Sequence, residues 1–322
     1  MLVRIADTFF GQRRRRWAMP NEHWQYVYRL LLKVARVQKR KPGHPVTYSE
    51  SVIVWLSLWG AYHQWPICEL ARQLRSHGWP KPIRSFMKIP TPSVSTLSRR
   101  FRKPEVIDVM NRALGSLDRG GTWGAIDGTV LPVGRYSTDA GARFGGKGTH
   151  YQRAYKLVDI VNQYGQPIAV KVVQGNTSEL VAARWLINHL ACVGRLMHTL
   201  VGDKGFDSEP LHRIVKKRIK GRLVAPVIKT RGRPRREGRR THAVGGALRR
   251  ACDRLLQSNW GSCWIRRRRL VERINGLFKQ RPHCLYALPA FVRHIWTVER
   301  WVLSHAVLLS LKQVDHVVLN AA

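Results

Sequence analysis

Three acidic residues stand where carboxylates are unusual, and together they could bind divalent metal ions. Asp127 lies inside an apolar stretch and is followed by Gly128. Asp203 ends another apolar stretch, and Glu272 is surrounded by arginines and lysines in the segment 264–281. An aspartate is disfavoured inside a strand, and burying it without compensation costs free energy. Each of these positions therefore needs a functional or a structural explanation.

Carboxylates that converge from two strands and a helix can hold two Mg²⁺ ions about 3.5 to 4 Å apart for in-line attack on a phosphodiester. One ion activates the attacking water or 3′-hydroxyl, and the other stabilises the leaving oxygen. Hard cations such as Mg²⁺, and Mn²⁺ as a substitute, prefer oxygen ligands. We therefore predict a two-ion site at Asp127, Asp203 and Glu272. For any one of these acids, a capped turn or a buried ion pair is the structural alternative.

The segment around Glu272 reads as a helix with a basic face. Arg268 stands four residues before the glutamate and Lys279 seven residues after it. At about 100° per residue, all three fall near one side of the helix, and Arg273 follows the glutamate directly. One face thus offers a metal ligand and candidate phosphate contacts. Ordinary ion pairs within a helix, each worth roughly a few tenths of a kcal/mol, are the alternative.

The overall charge points to a polyanionic partner. The 322 residues include 57 lysines and arginines against 19 acids, which gives a net charge of +38 and a pI near 11.4. Double-stranded DNA or RNA is the expected partner, although ribosome-associated proteins and membrane-surface binders share this trait. No apolar run approaches a membrane span and no secretory signal opens the chain, so we predict a cytoplasmic protein without a membrane partner.

The cysteines exclude two kinds of stabilising site. They are odd in number and scattered, without a CxxC pair: Cys68, Cys192, Cys252, Cys263 and Cys284. This usage indicates neither a disulfide framework nor a zinc site. His283 beside Cys284 is interpreted as incidental.

The first part of the chain reads as an all-helical domain over residues 1–115. Apolar spacing predicts four helices, over 22–37, 47–65, 66–77 and 92–103. The last of these carries Arg99, Arg100 and Arg102. These arginines could form the groove-reading face of a helix-turn-helix, or a basic solvated face of an ordinary helix, and the sequence leaves both open.

The pattern changes at Gly121 to a mixed α/β arrangement. Three consecutive strands are predicted, and alternating helices and strands follow them up to residue 228. A long apolar helix over 289–312 is expected to pack on the sheet. We therefore predict a catalytic domain over 116–322 in which helices flank a mixed sheet.

A basic insertion interrupts this domain at about 229–260. Residues 229–250 hold nine basic residues and one acid, together with glycine and proline, and show no apolar periodicity. We predict a flexible loop that contacts DNA through residues such as Arg233, Arg235 and Arg236. A solvated linker without a ligand is the alternative.

Three segments in order, AIDGTVLPV, VGDKGFDS and RRRRLVERINGLFKQR, resemble the catalytic core of DDE-type bacterial insertion-sequence transposases. In the related families that include insertion sequences four and five, the glutamate lies in a pattern of tyrosine, two residues, arginine, three residues, glutamate, six residues, lysine. Arg268, Glu272 and Lys279 stand at those intervals. The tyrosine position is occupied by Ile265, with Trp264 beside it.

The resemblance implies a ribonuclease H-like fold, preceded by a helical domain that recognises transposon ends. Asp127, Asp203 and Glu272 would be the catalytic, metal-binding triad, and Arg268 and Lys279 would contact DNA near the scissile phosphate. Such an enzyme cleaves double-stranded DNA at the terminal inverted repeats of its element and joins the 3′-hydroxyls to target DNA, as a homodimer that pairs two ends.

Two other functions remain open on the sequence. A ribonuclease H-like nuclease could cut DNA without joining it, because hydrolysis and strand transfer use the same metal ions with different nucleophiles. A catalytically inactive nucleic-acid binder would keep the charge and need none of the carboxylates.

Overall fold

The computed structural model describes residues 19–35, 47–134, 137–145, 152–227, 246–280 and 283–318. The chain divides into two compact units, Met1–Val109 and Met110–Ala322. No helix within the described ranges is long and apolar enough to cross a membrane.

The described part of the first unit is helical, as the apolar spacing predicts. Its helices are α1 (Asn21–Val34), α2 (Glu50–His63), α3 (Ile67–His77), α4 (Lys81–Arg84) and α5 (Val94–Phe101). A further helix, α6 (Pro104–Ser116), contains the boundary between the two units. Neither the short α4 nor α6 was predicted, whereas α1, α2, α3 and α5 match the predicted ranges to within a few residues.

Helix α2 forms the centre of the first unit. The Ser49 side chain caps its first turn by accepting a hydrogen bond from the Val52 amide, and nearly every residue of the helix is buried. Trp24 of α1 lies edge-on to Trp55 and Trp59, with ring centroids 5.4 and 4.8 Å apart. A helix that is apolar on all sides must be enclosed by other elements, and the contacts of Trp24 bury one side of α2 against α1.

Helix α5 corrects one of the predicted DNA contacts. The Ser93 side chain caps the helix by accepting from the Thr96 amide, and Arg99 and Arg102 are exposed. Arg100 is buried, and its Nη2 lies 2.7 Å from Oε1 of Glu50, the first residue of α2. The spacing of the arginines alone could not reveal a partner fifty residues away. Because this guanidinium is used inside the unit, Arg100 does not belong to a DNA-facing group.

The second unit is built on a six-stranded mixed sheet. Its strands are β1 (Trp123–Pro132), β2 (Arg143–Gly145), β3 (Gln152–Asn162), β4 (Pro167–Gln174), β5 (Thr199–Val201) and β6 (Arg222–Val224). The first four strands form antiparallel pairs, with both β2 and β4 on β3, whereas β5 runs parallel to β1 and β6 parallel to β5. Three long antiparallel strands extended by two parallel ones make the sheet ribonuclease H-like, as predicted. Only the three-residue β2 was not predicted.

Helices cover both faces of this sheet. On one face, α7 (Glu179–Cys192) and α8 (Glu209–Ile219) bury an apolar cluster together with Ile126, Val158 and Phe206. On the other face, α11 (Arg269–Lys279) packs on β1 and β3, and α12 (Ile295–Val318) packs on β4. Two shorter helices, α9 (Ala247–Gln257) and α10 (Gly261–Arg267), precede α11.

Two predicted boundaries differ from the structure. The last helix begins at Ile295 rather than at 289, because His294 adopts a left-handed backbone (φ 66°) and its amide donates to Asp139 instead of continuing a helix. The predicted helix over 264–281 is two helices, α10 and α11, separated at Arg268, which itself keeps helical backbone angles.

Helix α9 corrects part of the predicted basic loop. It packs on α8 and β6, and buried Cys252 donates from Sγ to the carbonyl of Ala225 at 3.4 Å. Arg249 anchors its first turn through Nε, 2.7 Å from Oδ1 of Asp207. Its apolar residues Leu248, Cys252, Leu255 and Leu256 stand at helical spacing, but the basic run 229–250, which predicts a loop, contains only the first of them. Residues 229–245, with Arg233, Arg235 and Arg236, lie outside the described residues.

Two histidines are buried together, His305 on α12 and His283 in the segment before it. Nδ1 of His283 lies 3.1 Å from Nδ1 of His305. Burial, with the charge of Lys312, lowers the pKa of His283 to about 3. Burial, with the neighbouring His283, lowers the pKa of His305 well below its usual value. Both rings are therefore neutral in the folded protein at neutral pH.

Replacing Arg100 should destabilise the first unit strongly. Arg100→Ala leaves the Glu50 carboxylate buried without a counter-charge, and we expect the free energy of unfolding to fall by about 3 kcal/mol or more. Urea denaturation followed by tryptophan fluorescence measures the change. The matched control is Arg99→Ala, an exposed neighbour expected to change stability by less than about 0.5 kcal/mol. Equal effects of the two variants would show that the buried pair is unimportant.

The histidine pair should make the second unit sensitive to acid. An unfolded histidine titrates near pH 6.5, so below that pH the unfolded state binds more protons than the folded state. The stability that the two neutral histidines contribute to the folded state is complete above about pH 6.5. It declines as the pH falls towards their pKa values in the folded protein. The slope is at most about 1.4 kcal/mol per pH unit for each ring.

Calorimetric melts between pH 7.5 and 5 test this dependence. In His305→Asn, we expect the melting temperature to fall less steeply with decreasing pH than in the parent. Substituting the exposed His77 by Asn should leave the slope as it is. If the melting temperature of His305→Asn depends on pH as steeply as that of the parent, the buried histidine pair is not the source of the acid sensitivity.

Candidate active site

Strand β1 carries Asp127 at its middle, on the face covered by α11. Nδ2 of Asn275, a buried residue of α11, donates to Oδ2 of Asp127 at 3.3 Å. Burial raises the pKa of Asp127, and the charge of Glu179 adds to the rise, while the Gly128 amide, the charge of Arg268 and Asn275 oppose it. The carboxylate is half-buried and lacks a full counter-charge.

The other two predicted ligands share one arginine. Asp203 lies two residues after the end of β5, with Gly202 between them, and Glu272 lies in the first turn of α11. Nη1 of Arg268 lies 2.8 Å from Oδ1 of Asp203, and its Nε donates to Oε1 of Glu272 at 3.1 Å. The Arg268 guanidinium thus joins the end of a strand to a helix 65 residues further along the chain, and its charge also acts on Asp127.

This arrangement places a positive group where a metal ion would lie. Arg268 contacts two of the three carboxylates, and within the described ranges no three acidic, histidine or cysteine side chains stand close enough to hold one ion. All the candidate donors are carboxylate oxygens, which suit a hard divalent cation. In chemical type the residues therefore fit such a cation, while in this structure the guanidinium lies between two of them.

Sequence reasoning passed over a fourth acid, Asp159. It lies directly opposite Asp127 in the antiparallel β1–β3 pair and is fully buried. Burial, and then the charge of Asp127, raises the pKa of Asp159 well above its usual range, so its neutral form avoids a second charge in the core. An aspartate inside the apolar stretch KLVDIVN is the same signal that selected Asp127, and it could have been found in the same way.

A fifth acid, Glu179, opens helix α7 and approaches the site from the other face of the sheet. A Cβ atom at Gly128 would lie 2.7 Å from Cδ of Glu179, and one at Gly205 would lie 3.8 Å from its Oε2. Glu179 thus reaches the segments that carry both aspartates. Nothing in its local sequence distinguishes it from an ordinary acid in the first turn of a helix.

Comparison with known families places most of the second unit in one family. The family model described as "Transposase DDE domain" matches residues 119–298, more than half of the chain, and that range contains all three predicted ligands. The chain belongs to the DDE transposase family. Among curated proteins, no match is found.

Two solved transposase structures show a weak likeness to the chain. One is a piggyBac transposase synaptic complex with hairpin DNA, at 12% identity and a TM-score of 0.31, covering 67% of this chain and 50% of that one. The other is a Mos1 transposase paired-end complex, at 13% identity and a TM-score of 0.20, covering 58% and 61%. This chain spans about half of the piggyBac chain and three fifths of the Mos1 chain. At TM-scores this low, neither likeness bears on function.

The predicted DNA contacts of the DDE domain fall into separate groups. On α11, Arg273 and Lys279 are exposed, while Val271, Ile274 and Phe278 face the core. Arg268 is engaged with the acids. Arg99 and Arg102 belong to the first unit.

At the position of the family tyrosine, Ile265 is half-buried and Trp264 is engaged with arginines. The Trp264 ring lies 4.1 Å from Cζ of Arg267 and 5.4 Å from Cζ of Arg222. Arg267 also lies over Trp123, at 5.0 Å from the ring centroid. These cation–π contacts fix α10 against the start of the sheet.

Removing the Arg268 guanidinium should strengthen metal binding by the DDE domain in the absence of DNA. In Arg268→Gln, a cation no longer has to displace a side chain that is bound to both Asp203 and Glu272. We expect Mn²⁺ affinity to rise roughly fivefold, which corresponds to about 1 kcal/mol for part-exposed ion pairs. Mn²⁺ titration monitored by melting temperature measures the change.

The exposed Arg266 supplies the control for this substitution. Arg266→Gln removes the same charge from the neighbouring helix, and we expect it to leave Mn²⁺ affinity within about twofold of the parent. An Arg268→Gln variant that binds Mn²⁺ no better than Arg266→Gln would contradict direct competition between the guanidinium and the cation.

Proposed function

We propose that this chain is a transposase that cleaves DNA at the ends of an insertion sequence and joins the exposed 3′-hydroxyls to target DNA. The observation that carries the proposal is the DDE family match over a sheet in which Asp127, Asp203 and Glu272 lie in neighbouring elements. No side chain is required as a nucleophile, because a water molecule and then a 3′-hydroxyl attack the phosphorus.

The proposed cofactor is a pair of Mg²⁺ ions, with Mn²⁺ as a substitute. When bound, the two ions would activate the attacking oxygen and stabilise the leaving one. Asp127, Asp203 and Glu272 are the proposed ligands. Asn275 keeps the Asp127 side chain oriented through its amide, and the neutral Asp159 behind it limits repulsion.

Substrate binding is assigned to the basic residues that remain exposed. On α11, Arg273 and Lys279 would contact phosphates beside the scissile bond, together with Arg268 once it leaves the acids. Arg99 and Arg102 in the first unit, and Arg233, Arg235 and Arg236 in the basic segment, are further proposed contacts. Arg100 is not proposed as a DNA contact, because its guanidinium forms an ion pair with Glu50.

The proposed partners are double-stranded terminal inverted repeats and target DNA. Two ends must be cut together for an element to move, so a homodimer in the synaptic complex is proposed. The cytoplasm of a bacterial cell is the proposed compartment.

Two alternative functions are retained. The first is a ribonuclease H-like nuclease that cuts DNA without joining it. The second is a DNA-binding protein without catalytic activity.

Substitution of the acids should separate catalysis from DNA binding. We expect Asp127→Ala, Asp203→Ala and Glu272→Ala each to reduce Mg²⁺-dependent cleavage of a labelled donor DNA by about a thousandfold or more, because each removes a metal ligand. DNA affinity measured at fixed salt should not fall, since no positive charge is lost. The donor carries the repeats that flank the gene, and a target plasmid is present.

The products of this assay distinguish the functions. Joined donor–target molecules support the transposase, whereas cleavage without joining would establish the nuclease. Asp253→Ala, which removes an acid of α9 outside the site, is the control and should cleave as the parent does. If all three site variants still cut, the assignment of the acids is wrong.

A further inference from the structure

Within the described residues, Glu179 forms no ion pair with a basic side chain, although the chain carries a large excess of positive charge. The residue is half-buried, and the described ranges contain no hydrogen bond or ion pair to its carboxylate. Four other partly or fully buried acids have basic partners: Glu50 with Arg100, Asp118 with Arg195, Asp207 with Arg249, and Glu299 with Lys171. The net charge of the protein is +38, yet this carboxylate has no basic side chain paired with it in the part of the chain that the structure describes. Its position therefore suits the binding of an additional cation, such as a metal ion.

The backbone leaves space for this carboxylate beside the site. A Cβ atom at Gly128 would lie 2.7 Å from Cδ of Glu179, closer than real Cβ atoms approach, and 3.0 Å from its Oε1. Any other residue after Asp127 would push the glutamate away. Because Gly128 has no side chain, the carboxyl group of Glu179 can lie next to Asp127, a predicted metal ligand.

The two carboxylate oxygens of Glu179 face both aspartate-bearing segments. Oε1 lies over Gly128, which follows Asp127, and Oε2 is the atom nearest to a Cβ built at Gly205, two residues after Asp203. Asp127 points to the α11 face of the sheet, whereas Glu179 comes from the α7 face, so the two carboxylates approach the same region from opposite sides. The fully buried Asp159 adds another polar side chain next to Asp127.

We propose that Glu179 is a fourth carboxylate of the active site, which binds the same divalent cations as the triad, and that Gly128 is small in order to admit it. This inference rests on the proposed metal-dependent function. Two Mg²⁺ ions together need about twelve oxygen ligands, which three carboxylates, the substrate and water must otherwise supply. Glu179 adds a ligand from the side of the sheet that the triad leaves open.

A helix-dipole role is the simpler account of an acid in this position. Ser178 caps α7, and a glutamate in the first turn stabilises a helix by about 0.3 to 1 kcal/mol. That role requires neither the close approach to Gly128 nor the lack of a basic partner. It also predicts no effect on metal binding, so the two accounts can be separated by experiment.

The test measures Mn²⁺ binding to the full-length protein without DNA, by the signal of free Mn²⁺ in a titration. We expect Glu179→Gln to weaken Mn²⁺ binding by about tenfold or more, the size of effect that follows loss of a group at a metal site. Gly128→Ala should cause a similar loss by displacing the glutamate. Glu22→Gln, which neutralises an acid in the first turn of α1, controls for the helix dipole and should bind Mn²⁺ as the parent does.

A second readout is the Mg²⁺ dependence of cleavage. In Glu179→Gln, the concentration of Mg²⁺ that gives half-maximal cleavage should rise by about tenfold, while DNA affinity is retained. A helix-dipole role would lower the melting temperature without moving this midpoint. Melting temperatures of all variants, measured without metal, show whether each one is folded.

Asp127→Asn distinguishes failure of this inference from failure of the proposed function. If Asp127→Asn loses Mn²⁺ binding and Glu179→Gln keeps it, Glu179 is not a ligand and the triad stands. If neither variant changes Mn²⁺ binding, both the metal site and its fourth carboxylate are refuted. Loss in both variants, with parent-like binding by Glu22→Gln, supports the fourth carboxylate.

Discussion

Carboxylates gathered in one region of a sheet repel each other, and the structure must supply whatever holds them there. The Arg268 guanidinium does so for Asp203 and Glu272, and it connects the end of β5 to α11. For Asp127, the compensation is weaker, through the Asn275 amide and the charge of Arg268. Asp159 avoids the repulsion by remaining neutral. The packing of α11 on β1 and β3 brings these groups together, so the site depends on that contact.

The excess of positive charge in this protein has more than one use. Several arginines form ion pairs within the fold: Arg100 with Glu50, Arg195 with Asp118 and Arg249 with Asp207. Each of these pairs joins segments that are distant in sequence, and each compensates an acid that would be costly to bury alone. What remains exposed is still strongly basic, as on α11. Composition therefore indicates a polyanionic partner, but it cannot say which arginine touches it.

The sheet was predictable because its strands follow simple rules. The long strands β1, β3 and β4 are apolar, and the tight turn after Asn162 marks the hairpin, where Gly165 adopts a φ of 79°. Elements outside these apolar runs were missed. Strand β2 has only three residues, and the apolar positions of α9 continue past the basic run 229–250, whose arginines suggested a loop. Such elements are held by tertiary contacts, among them the Arg249–Asp207 pair.

The sequence by itself determined the order and spacing of Asp127, Asp203 and Glu272, the mixed α/β pattern and the basic character. These features are local or additive, so they can be read along the chain. Only the tertiary structure decided that Asp159 lies across from Asp127, that Gly128 admits Glu179, that Arg268 bridges two acids and that Arg100 is buried. Each of these facts is a distance between residues far apart in sequence, and such distances are set by strand register and helix packing rather than by any local pattern.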